Sequence, residues 1–130
     1  MENNEIDIPL TKEEEKEKIE FLKNRRFNDF KIHSYYNRGG YIKHPVEIET
    51  IKEVYPQFNK IIGVFKRPAK KGFKYSFRYQ IEETKTLVLC FYLDEKPPMF
   101  FNAYFDYTKQ DKKLQRKFKR WMERESKKQQ

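Results

Sequence analysis

Between Lys60 and Phe105 the chain divides into four strand-length runs separated by three polar joints, and this spacing constrains the fold more than any other feature. The runs are KIIGVFKR (60–67), FKYSFRYQ (73–80), TLVLCFYL (86–93) and MFFNAYF (99–105), with PAKKG, IEETK and DEKPP between them. Joints so short leave no room for a crossover helix, so consecutive runs must pair antiparallel, as a meander. FKYSFRYQ alternates strictly, with Phe73, Tyr75, Phe77 and Tyr79 on one face and Lys74, Ser76, Arg78 and Gln80 on the other. TLVLCFYL is apolar from Leu87 onward, the pattern of a central strand buried on both sides.

Helical signals flank the meander. LTKEEEKEKIEFLKN predicts a helix over about 12–24, with Thr11 as N-cap, Glu14 completing a capping box and acids crowding the first turn. Its apolar stripe is thin, Ile19 and Leu22 with Phe21 beside them, which predicts weak docking. Residues 27–43 show no clean period and contain the turn signal NRGG, so an irregular segment with a short strand is expected. HPVEIETIKEVY predicts a second helix over 45–55, opened by Pro45 and closed by Pro56. At the C-terminus Leu114, Phe118, Trp121 and Met122 mark an amphipathic helix over about 109–126 with a strongly basic outer face.

The expected fold is therefore α+β. A four-stranded antiparallel meander packs with two N-terminal helices and a basic amphipathic C-terminal helix. One domain spans 1–130: an acidic helical segment (1–25), an α+β core (41–107) and a basic helix (108–130). The helices need an apolar surface, and the odd face supplies it: Phe73, Tyr75, Phe77, Leu87, Leu89, Phe91, Leu93, Met99, Phe101, Ala103 and Phe105. The even face then carries Lys74, Arg78, Tyr92, Asn102 and Tyr104, softened by Val88, Cys90 and Phe100, and is a candidate groove for RNA, with ordinary solvated surface as the alternative.

Charge bears on partners, not on fold. The chain of 130 residues carries +9, which favours nucleic acid, an anionic membrane or an acidic protein. At 17% aromatic it is too rich in core-forming residues for a disordered basic tail. The excess is uneven, because residues 1–20 hold eight acids and three bases. That acidic head either folds back onto the basic body or serves as a solvated helix. No run suits a membrane span, which leaves a membrane out of the expected partners, and no signal peptide is visible. A lone cysteine, Cys90, excludes a disulfide framework and fits a reducing cytoplasm.

There is no phosphate-binding glycine loop, no zinc spacing and no nucleophile elbow, so no cofactor or metal is expected. What remains is His, Lys, Arg and Tyr, and these suffice for metal-free RNA cleavage. In that reaction the ribose 2′-OH attacks the adjacent phosphate. The protein supplies a base, an acid for the leaving oxygen and cations for the phosphorane. His44, at an expected helix start, is the candidate proton-exchanging group, with His33 weaker. Lys66 and Arg67, before PAKKG, are candidate phosphate contacts, as are Lys74, Asn102, Lys117 and Arg120. Tyr104 is a candidate acid or stacking platform. Each has a bland alternative: a cap, a solvated hairpin tip or ordinary packing.

From YIKHPVEIETIKEV through the strands to FFNAYFD, about residues 41–107, the chain resembles the barnase–EndoU–colicin–RelE-like nuclease superfamily, in particular its phage- and mobile-element-associated members. The resemblance rests on His44-Pro45 before a helix, on strands with basic residues, and on Asn102-Ala103-Tyr104 in place of a closing Thr-Ala-Tyr-like tripeptide. It implies a metal-independent ribonuclease acting by 2′-OH transphosphorylation, a toxin being one option, with His44, Arg78 and Tyr104 near the scissile phosphate. Two alternatives stand beside it: a non-catalytic module binding nucleic acid, RNA ahead of DNA, and an interaction protein for an acidic partner.

Overall fold

The four runs form the centre of a six-stranded sheet. The computed structural model describes residues 6–32, 46–70 and 72–128, with backbone alone over 107–115 and at 128. The strands are β1 (Ile8–Pro9), β2 (Lys31–Ile32), β3 (Ile61–Pro68), β4 (Phe73–Glu82), β5 (Lys85–Tyr92) and β6 (Met99–Tyr107), in the spatial order β1-β3-β4-β5-β6-β2. Neighbours from β3 to β6 pair antiparallel, as the short joints require. The expected four strands become six because β1 adds antiparallel to β3 and β2 parallel to β6. Each added strand is two residues long, too short to show an alternation, yet it covers backbone groups that an open edge would expose.

Three helices accompany the sheet among the described residues: α1 (Lys12–Lys23), α2 (Ile48–Val54) and α3 (Thr108–Lys128). The capping box of α1 is present. Thr11 Oγ1 accepts from the Glu14 N–H at 3.1 Å, and Glu14 Oε1 accepts from the Thr11 N–H at 3.4 Å. Docking of α1 is firmer than its thin stripe suggests, since Leu22 is fully buried. α2 is shorter than the predicted 45–55. Its N-cap is Glu47, which makes no side-chain cap bond, and Pro45 lies outside the described residues. The Tyr55 hydroxyl lies 2.6 Å from the Leu22 carbonyl and 3.0 Å from that of Arg25, sharing its proton between them and tying α2 to the end of α1.

Helices α1 and α2 cover the odd face, where Phe77, Tyr79, Leu87, Leu89, Phe91 and Phe100 are wholly buried together with Leu22 and Ile51. Aromatic edges knit the layers, with ring centroids 4.8 Å apart for Phe30–Phe91 and 5.1 Å for Phe27–Phe100. One parity expectation is overturned. Cys90 pairs with Asn102 but Phe91 pairs with Phe100, so Phe101 is an extra residue in β6. This bulge reverses the facing of everything before it in that strand. Phe100 enters the core, while Phe101 turns to the even face beside Tyr92, and Met99 pairs with Tyr92 there.

The described apolar side of α3 stands outside the core cluster. No described α3 residue belongs to the core, Met122 is 49% exposed, and Phe118 and Trp121 are half-buried with ring centroids 5.8 Å apart. The PAKKG joint closes as predicted: Ala69 N–H donates to the Gly72 carbonyl at 2.9 Å, and Gly72 takes φ 84°. A Cβ there would also sit 2.6 Å from Asp94 Oδ2, which would have to turn aside, so the positive φ is the main reason for glycine.

Candidate functional site

The even face of the sheet is not the solvated groove that its polar letters suggest. Across its middle Thr86 and Val88 are wholly buried, Cys90 is 1% exposed, Arg78 2%, Phe65 3% and Ser76 8%. Buried polar groups need partners. The Ser76 hydroxyl meets the Cys90 thiol at 3.6 Å. Arg78 Nη2 donates to Asp106 Oδ2 at 2.9 Å, a charge-assisted bond in which the guanidinium is almost fully buried.

Register brings two of the three predicted catalytic residues together. Arg78 lies opposite Val88, which lies opposite Tyr104, so the two share one rung of the face. Burial raises the Tyr104 hydroxyl pKa, and the nearby Cys90, Asp7 and Asp106 raise it further while Arg78 opposes them. Burial likewise holds the Cys90 thiol above its usual value. At neutral pH Tyr104 is thus a proton donor and Cys90 is a thiol. Asn102 sits beside Cys90 with its Oδ1 buried and without a hydrogen-bond partner. Lys74, half-buried, places its ammonium 5.7 Å from the Phe101 ring centroid. His44 and His33 lie outside the described residues.

The two candidate phosphate contacts Lys66 and Arg67 lie on different faces of β3. Lys66 pairs opposite Tyr75 and Arg67 opposite Lys74, so the two point to opposite faces. Each is met by an acid from the N-terminal segment. Glu14 Oε2 is 3.2 Å from Lys66 Nζ, and Asp7 takes a two-pronged bond from Arg67 at 3.0 and 3.1 Å. Glu14 has its pKa lowered by its hydrogen bond from Lys66. The acidic head therefore reaches the basic body, one acid on each side of the β3 end. Sequence reasoning missed these partners because 52 and 60 residues separate the members of each pair.

The cations of α3 stand differently. Arg116, Lys117, Lys119, Arg120, Arg124 and Lys127 are all exposed. At about 100° per residue, Arg116, Lys117, Arg120, Arg124 and Lys127 share a face roughly 100° wide, with Phe118 on the far side of the helix and Trp121 along one flank of the row. Arg116, Lys117, Arg120 and Arg124 line a groove of about 520 Å³. The predicted contacts Lys117 and Arg120 lie in this row. None of the described helices is long and apolar enough to cross a membrane. No group of three His, Cys, Asp or Glu side chains able to hold a metal occurs among the described residues. No protein-family model matches the chain, and neither a curated protein nor a solved structure is detectably similar to it.

Proposed function

We propose that this protein binds nucleic acid, RNA first, along the basic face of α3. The observation that carries the reading is the exposed row from Arg116 to Lys127. Over eleven residue steps it extends about 16 Å, enough to follow roughly five phosphates of one strand. Like charges at i and i+4 destabilise a helix, and Arg116, Arg120 and Arg124 repeat that spacing twice. A polyanion reverses the sign of that interaction.

The test is fluorescence anisotropy of a labelled single-stranded RNA with the wild type and with R116A/R120A/R124A. The triple variant is expected to bind at least ~10-fold more weakly, and the slope of log affinity against log salt to fall by about one per phosphate contact removed. Equal affinity and slope would sink the reading.

A second reading, metal-independent ribonuclease, is favoured by the shared rung of Arg78 and Tyr104, a buried cation beside a protonated phenol. The resemblance to the barnase–EndoU–colicin–RelE-like nucleases would add His44 near the scissile phosphate as the proton-exchanging group, acid or base. Asp106 already pairs with Arg78, so a scissile phosphate would have to share that guanidinium. Incubation with mixed RNA in EDTA is expected to give 2′,3′-cyclic phosphate ends, and His44→Ala to lose ~100-fold in rate. RNA left whole by the wild type removes this reading and leaves the first intact.

A further inference from the structure

We propose that the cleft between the end of α1 and the end of α2 binds a phosphate monoester that carries a planar ring, a nucleoside monophosphate either free or at the end of a strand. The cleft encloses about 370 Å³, within the range of small-molecule sites. Four cations, Lys23, Arg25, Arg26 and Lys52, line it, and no carboxylate does so among the described residues. Two acids from the same stretch of chain have other partners. Asp29 accepts the Arg26 backbone N–H at 2.8 Å, and Glu20 lies 3.7 Å from Lys23 on the exposed flank of α1. Arg26 and Lys52 are exposed, so their heads are available to an anion. Arg25 is held in place: its guanidinium lies 3.6 Å from the Phe21 ring centroid and donates to the Phe21 carbonyl at 3.0 Å.

Beside exposed Asn28 and Pro56, the rest of the lining is aromatic and packed in place. Phe27 and Tyr55 are buried beneath it, ring centroids 5.7 Å apart, and half-buried Phe58 stands edge-on to Tyr55 at 5.3 Å. The Tyr55 hydroxyl binds the two helix ends to each other, so the cleft is formed before any ligand arrives. A cationic rim calls for phosphate, and an aromatic interior calls for a flat apolar ring. One molecule class satisfies both. The cleft shares no residue with the α3 row or the even sheet face, so this inference does not rest on either reading of function.

The experiment titrates the full chain with adenosine 5′-monophosphate, adenosine and inorganic phosphate, read by amide chemical shifts and calorimetry. The monophosphate is expected to bind saturably and at least ~10-fold more tightly than either fragment, because only it fills both halves. R26A/K52A should weaken it ~10-fold or more, with unchanged melting and unchanged α3-dependent RNA binding. Lys52→Glu, a single change at an exposed helix position, repeats the test if the double variant melts early. A 5′-phosphorylated tetranucleotide that displaces the monophosphate more strongly than the unphosphorylated strand identifies a strand end as the source; equal, weak competition identifies the free nucleotide. No saturable monophosphate binding up to about 10 mM, or binding untouched by both variants, overturns the proposal.

Discussion

The sheet and the C-terminal helix both carry cations, but they use them in opposite ways. In the sheet, Arg78 is buried against Asp106, Arg67 is held by Asp7, and Lys66 by Glu14. In α3, six cations stand exposed between residues 116 and 127. A formal charge of +9 therefore overstates what the sheet offers a polyanion. Two of the expected nucleic-acid contacts, Lys66 and Arg67, and one expected catalytic residue, Arg78, pair with acids of the same chain, two of those acids from the N-terminal head. What a basic chain presents to a partner is decided by pairing, and pairing is a tertiary property.

The largest expected effect tests the core on which this contrast stands. Phe77 is wholly buried between Val64 and Leu89 in register, and Phe77→Ala should lower stability by about 3–5 kcal/mol in denaturant unfolding. A loss under ~1 kcal/mol would mean that the odd face is not the core. Next comes Arg78. A solvated Arg78 would be nearly free to mutate. At 2% exposure, Arg78→Ala instead empties a packed site and takes the partner from Asp106, which is itself partly solvated, and a loss of about 2 kcal/mol is expected. The double variant with Asp106→Ala should lose less than the two single losses added, because neither charge is then stranded. A melting shift below about 3 °C in Arg78→Ala would place that cation with those of α3 and break the comparison.

Alkaline pH probes the same packing from its phenols. Burial raises the pKa of Tyr55, Tyr79 and Tyr104 above the ordinary value near 10. The Tyr79 hydroxyl also donates to the Tyr55 carbonyl at 2.9 Å, a bond that only the neutral phenol makes. A raised folded pKa means that the unfolded chain releases the proton first as pH rises. The contribution is thus complete below about pH 10 and is lost above it, at about 1.4 kcal/mol per pH unit for each group. Absorbance of phenolate should show a subset of the nine tyrosines titrating freely and the remainder appearing only with unfolding. Smooth titration of all nine in the folded protein would contradict this burial.

How much of this was legible depends on how locally each feature is encoded. The meander was readable because alternation and joint length act within a few residues, as in FKYSFRYQ and PAKKG. The capping box at Thr11 and Glu14 was readable for the same reason. Phe101 was misplaced because a bulge adds one residue without changing the composition of its strand. The even face was misread because Lys74, Arg78 and Asn102 look solvated letter by letter, whereas Arg78 finds its partner 28 residues away on another strand. The cleft between α1 and α2 was missed altogether: Arg25, Arg26 and Lys52 become neighbours only once Tyr55 ties the two helix ends.

The smallest expected effect is the one that most sharpens the contrast. R116A/R120A/R124A should leave stability within about 0.5 kcal/mol of the wild type. Two opposing local terms set the sign. Removing two like-charge pairs at i, i+4 relieves about 0.2–0.5 kcal/mol each, and alanine is the best helix former. Against this, the Arg124 stem, one turn from half-buried Trp121, ceases to shield that ring. The melt of the whole chain and the helical circular dichroism of the variant measure the balance directly. A loss above ~1 kcal/mol would mean that the row is packed or paired like the sheet cations, and the distinction between the two regions would disappear. A flat or slightly raised melt, with RNA affinity lost, would show that these arginines contribute to what the protein touches and not to how it folds.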